Sequence, residues 1–124
     1  MKSLYISGNR LQRKLIEGNK LPSQLAFLSV SSNFLEARIP KSFSNSCALP
    51  SLELIDNRLS EEFSMVMYHL SRCARYSLQK LYLGMNEINV TLPNLSIFPC
   101  LKVLNVGSNR LNGEITKIFN VHLN

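Results

Sequence analysis

LKVLNVGSNRL, residues 101–111, carries the pattern that decides the fold, because the chain repeats it. MKSLYISGNRL (1–11), LAFLSVSSNFL (25–35), LPSLELIDNRL (49–59) and LQKLYLGMNEI (78–88) keep the same register. Each reads LxxLxLxxNxL with conservative swaps. The second leucines are Leu4, Leu28, Leu52, Leu81 and Leu104, at spacings of 24, 24, 29 and 23 residues. Five residues after each comes an Asn: Asn9, Asn33, Asn57, Asn86 and Asn109. A recurrence of this length marks an array of stacked units.

The chemistry of each position gives the unit its shape. The LxL portion alternates as a strand does, so Leu4/Ile6, Leu28/Val30, Leu52/Leu54, Leu81/Leu83 and Leu104/Val106 point inward. An amide side chain both donates and accepts. Stacked Asn residues can therefore satisfy turn backbone groups inside the array. One unit cannot bury its own apolar side, and stacking builds the core. The expected fold is an α/β solenoid: a right-handed coil with a parallel sheet on its concave face and short 3-10 or α segments on its convex face. Residues 1–124 form one array, with units at approximately 1–24, 25–48, 49–77, 78–100 and 101–124. An amphipathic helix bundle would need a 3.6-residue period, and the period-2 strands argue against it.

After each strand the chain must turn back. Leu35-Glu36-Ala37-Arg38-Ile39-Pro40 and Ile88-Asn89-Val90-Thr91-Leu92-Pro93 do so with a Pro that blocks helix continuation. Leu111-Asn112-Gly113-Glu114-Ile115-Thr116 keeps the Gly and the Ile. These segments resemble the L-x-G-x-I-P element of plant-type extracellular leucine-rich repeats. Arg13, Ala37, Glu62 and Val90 depart from it at the Gly position, as do Ile16, Ser64 and Thr116 at the Pro position. Phe43, Met67 and Phe119 suit an apolar spine on the convex side. The 29-residue spacing places an insertion after Leu59. Phe63, Val66, Met67 and Leu70 make it a short amphipathic helix, with Ser60 as its cap, Glu61 and Glu62 at its positive end, and Arg72 and Arg75 at its negative end.

The array as a whole resembles the ectodomain of plant receptor-like proteins and receptor-like kinases. The third and fourth units look especially like legume receptor-like proteins of the elicitor-receptor type. That resemblance implies recognition of a peptide or protein, in defence or signalling, at the outer face of the plasma membrane, with a co-receptor as a further partner. It also implies a Cys47–Cys73 bridge across adjacent coils. Two buried free thiols are the alternative. Asn89-Val90-Thr91 and Asn94-Leu95-Ser96 are glycosylation sequons, and Asn89 and Asn94 carry glycan if the chain is exported.

Binding is expected, not catalysis. His69 and His122 have no nucleophile motif beside them, and no phosphate-cradling loop or kinase signature occurs. His69 reads as a surface or packing residue. No cofactor and no metal are expected, since cysteines this far apart make no zinc site. The charge is +6, but its basic residues are scattered, so no nucleic-acid partner is expected. No stretch approaches the roughly 20 apolar residues of a membrane span, and no signal peptide is visible; a membrane enters only through segments a parent protein would supply.

The candidate surface is the concave face, where strand residues alternate with the leucines. Tyr5, Phe27, Ser29, Glu53, Lys80, Tyr82 and Asn105 are its ligand-facing positions, with Ser3, Ser7, Ser31, Ser51, Ile55, Gly84, Val103 and Gly107 between them. Aromatic anchors among small hydroxyl residues suit a peptide or protein. Arg10, Phe34, Arg58, Glu87 and Arg110 form a lateral row, whose Arg residues can meet a carboxylate. Both rows can equally be the solvated face of an array. Neither end carries a polar cap, and Met1 stands at a leucine position, so a partial array is expected. A decoy or remnant repeat with no ligand of its own is the alternative function. A secreted inhibitor of a cell-wall hydrolase is a further one.

Overall fold

The computed structural model describes residues 3–7, 21, 24–31, 35–40, 43, 48–72, 74–90, 95–111, 114–115 and 120–122. The first three strands in the main sheet are β1 (Ser3–Ser7), β2 (Phe27–Ser31) and, after the two-residue β3 (Glu36–Ala37), β4 (Ser51–Glu53). Next come β5 (Arg58–Leu59), helix α1 (Phe63–Ser71) and β6 (Lys80–Tyr82). The remaining strands are β7 (Asn89–Val90), β8 (Val103–Asn105), β9 (Arg110–Leu111), β10 (Glu114–Ile115) and β11 (Asn120–His122). Single 3-10 turns occupy Ala74–Tyr76 and Leu95–Ile97.

The main sheet runs β1-β2-β4-β6-β8-β11, and its first five strands are parallel. Its register is the register of the sequence: Leu4 pairs with Leu28, Leu28 with Leu52, Leu52 with Leu81, and Leu81 with Leu104. The second leucine of every unit therefore stacks on its counterpart. The fold is α/β in a loose sense, a five-stranded parallel sheet with few helices.

Period-2 alternation places one leucine row inside the molecule. Leu28, Leu52, Leu81 and Leu104 are buried, as are Ile6, Val30, Leu54, Leu83 and Val106 two residues on. Leu4, at the sheet edge, packs half-buried against them. Leu35, Leu59 and Ile88 continue the core past the turn, and Ile39, Phe43, Phe63, Met67 and Phe98 belong to the same buried cluster. Phe43 and Met67, expected in an apolar spine, are both buried, while Phe119 lies outside the described residues. In the fourth unit Phe98, which spacing did not single out, is buried as well.

Beyond the Asn turn the chain forms a second line of pairing that the repeat pattern does not announce. β3 pairs in parallel with β5, and β7 with β9, while β10 runs antiparallel to β9. Asn89 therefore lies in a short strand rather than a loop.

The long third unit contains α1. Phe63, Val66, Met67 and Leu70, at i, i+3, i+4 and i+7, are its buried residues. Its start differs from expectation. Glu62, not Ser60, holds the cap position, in extended backbone and with no side-chain cap bond. The N–H groups of Ser60 and Glu61 both donate to the Ala37 carbonyl, at 3.1 and 3.0 Å, so pairing with β3 runs through Glu61 and the helix opens only after it. Arg72 caps the C-terminus, but Arg75 lies beyond it over the Tyr76 ring, 5.3 Å from the ring centroid.

One segment departs from the repeat plan. Residues 120–122 were expected within the return segment of the last unit. They form β11, antiparallel to β8, with Asn120 opposite Asn105. No helix among the described residues is long and apolar enough to cross a membrane.

Candidate binding face of the sheet

The sheet face opposite the leucines is assembled row by row from the register. One row is Ser3, Phe27, Ser51, Lys80 and Val103, and the next is Tyr5, Ser29, Glu53, Tyr82 and Asn105. Parallel pairing continues past the strand ends. The Leu54 N–H donates to Tyr82 O at 2.8 Å and the Asp56 N–H to Gly84 O at 3.1 Å. Likewise the Leu83 N–H donates to Asn105 O at 2.7 Å and the Met85 N–H to Gly107 O at 2.9 Å. These bonds place Ile55, Gly84 and Gly107 side by side as a third row.

Exposure separates the expected ligand-facing residues. Tyr5 and Lys80 are exposed, and Phe27, Glu53, Tyr82 and Asn105 are half-buried. The Tyr5 and Phe27 rings lie 5.3 Å apart between centroids at 54°, a tilted pair on adjacent strands. Ser29 is the exception. It is only 8% exposed, and its hydroxyl donates to Glu53 Oε1 at 3.4 Å. A short side chain between Tyr5 and Glu53 in the row, Ser29 is thus tied to the Glu53 carboxylate. Of Ser7 and Ser31 only the backbone is described.

The lateral row is partly visible. Arg58 and Glu87 are exposed, and Arg58 Nη1 lies 3.9 Å from Glu36 Oε1 within the same molecule. With both side chains mostly in water, that pair contributes little. Arg110 is described only as backbone in β9, and Arg10 and Phe34 lie outside the described residues.

Beneath the turns runs the Asn ladder. Asn57 Nδ2 donates to Leu54 O at 3.0 Å in its own unit and to Val30 O at 2.9 Å in the unit before, while Oδ1 accepts from the Leu35 N–H at 3.1 Å. Asn86 repeats this with Leu83 O, Leu54 O and the Leu59 N–H, and Asn109 with Val106 O, Leu83 O and the Ile88 N–H. All three are buried. The residue before each takes a left-handed backbone, φ 61° at Asp56 and 55° at Met85 and Ser108. Asn9 and Asn33 lie outside the described residues.

No sequence pattern links Glu61 to His69. His69 Nε2 stands 2.9 Å from Glu61 Oε1, and Glu61 Oε2 accepts from the Ile39 N–H at 3.3 Å. The Glu61 side chain is 7% exposed, so this carboxylate ties α1 to the preceding unit. The expectation of Glu61 at the positive end of α1 gives way to this bond.

Cys47, Cys73 and Asn94 lie outside the described residues. Cys100 is a free, half-buried thiol. Asn89 is exposed on β7. Among the described residues no group of His, Cys, Asp and Glu could hold a metal ion.

Comparison with protein-family models, with curated proteins and with solved structures gave no significant match.

Proposed function

We propose that this chain is a leucine-rich-repeat array of the plant cell-surface receptor type, and that its open sheet face binds a peptide or protein. Catalysis is no part of this reading. The observation that carries it is the identity of sequence register and strand register over all five units, with the Asn ladder beneath. A coiled solenoid with its sheet on the concave side is the arrangement such a register suits. The receptor assignment rests on the L-x-G-x-I-P elements.

The face offers what a protein partner uses: aromatic anchors at Tyr5, Phe27 and Tyr82, and charges of both signs at Glu53 and Lys80. The test is selection of displayed dodecapeptides against the full chain, followed by affinity measurement on Tyr82→Ala. Loss of about tenfold, roughly 1.4 kcal/mol, is expected. Failure to enrich any peptide, or equal affinity in the variant, would remove the proposal.

A further inference from the structure

A cleft of about 250 Å³ opens on the sheet face, lined by Ile55, Gly84, Met85, Asn105, Gly107 and Ser108. Two glycines make its floor. A Cβ on Gly84 would come within 2.5 Å of Asn105 Oδ1, so the third row is hollow because it lacks side chains there. The volume is below the roughly 300–1,000 Å³ of small-molecule pockets, and suits one side chain of a larger ligand. Its walls are chiefly the apolar side chains of Ile55 and Met85.

Met85 is the unusual residue. It is 54% exposed, and it holds φ 55°, where an unbranched L side chain is strained. The corresponding positions carry Gly8, Ser32, Asp56 and Ser108, all small or polar. Apolar exposure and left-handed backbone both disfavour methionine there. Its polarizable, rotatable side chain is well suited to close over a guest.

The surroundings indicate which guest. Glu53 stands two residues before Ile55, Asp56 directly after it, and Glu87 two residues after Met85. Lys80 precedes Gly84 by four residues, about 13 Å along an extended strand. Arg58 is turned to Glu36. Three carboxylates thus lie within two residues of the lining positions Ile55 and Met85, in a chain of net charge +6.

We infer that this cleft is the anchor pocket of the binding face, taking one aliphatic side chain of an extended peptide whose neighbouring residue is Lys or Arg. The inference rests on the peptide-binding reading above and names its ligand class. Apolar contact with Ile55 and Met85 holds the side chain, and the carboxylates adjacent in sequence, Glu53, Asp56 and Glu87, select the cation beside it.

The dodecapeptides selected on the full chain provide the probe. Enrichment of adjacent aliphatic and basic residues is expected. Met85→Gly relieves the backbone strain, so it should melt higher than the parent yet bind the selected peptides about tenfold more weakly. Gly84→Ala forces the Asn105 amide aside and should weaken binding similarly. The methyl resonance of Met85, one of four methionines and assignable by its loss in Met85→Gly, should shift on titration. Selected peptides that bind Met85→Gly and Gly84→Ala as tightly as the parent, yet lose affinity for Tyr82→Ala, would overturn the pocket and leave the face. Absence of any enriched peptide, or affinity unchanged in all three variants, would overturn both.

Discussion

Asn57 uses its amide fully: the oxygen accepts from the Leu35 N–H, and the nitrogen serves carbonyls of its own unit and of the one before. Removing that amide strands buried backbone groups on two units at once. Each such group costs about 1–3 kcal/mol, so Asn57→Ala should lower stability by about 3 kcal/mol in urea unfolding. A loss below 1 kcal/mol would mean water replaces the amide. Ala37 presents the opposite case. It fills a position where the resembling element has Gly, and it holds φ 60°. Counted two residues on from Leu59, as Ala37 is from Leu35, the position one unit later is Glu61 rather than Glu62, and its φ is not positive. Erosion of the glycine is therefore strained at one site and harmless at the other. Ala37→Gly should stabilise by about 0.5–1 kcal/mol, the relief of strain less the added freedom of the unfolded chain, whereas Glu61→Gly should not. Thermal melts of the two variants side by side would check the contrast.

Helix α1 exists because the third unit is long. The 29-residue spacing from Leu52 to Leu81 leaves room for nine residues in helix, where the 23-residue spacing to Leu104 shows, among the described residues, a single 3-10 turn. Its apolar face was legible from Phe63, Val66, Met67 and Leu70, since a 3.6-residue period survives in any context. Its start was not. Ser60 has the chemistry of a cap, but its backbone pairs with β3, and tertiary pairing overrides local preference. The Glu61–His69 contact was equally hidden, because nothing in an eight-residue separation says which carboxylate turns inward. His69→Ala removes a donor from a 7% exposed carboxylate and should cost about 1–2 kcal/mol. Chemical denaturation would show it, and an unchanged midpoint would place the Glu61 charge in water. On the binding face the strand rows followed directly from alternation, whereas the cleft did not: it depends on turns where Met85 departs from the chain's own pattern.

At the scale of the molecule, the strands pair leucine on leucine although the intervening lengths differ. Spacings of 24, 24, 29 and 23 residues all return to one register, because the return segments absorb the difference as 3-10 turn or helix. The sheet therefore constrains phase and not length. Excision of residues 28–51 would join Phe27 to Leu52 and bring Leu4 opposite Leu52, the same pairing with one unit fewer. That deletion should fold with a cooperative but lower melt, whereas removal of residues 28–39, half a unit, should leave no cooperative transition; equal melts for the two would contradict phase control. A gene encoding such a chain can gain or lose whole units by unequal exchange between its own repeats, and each product inherits a sheet already in register.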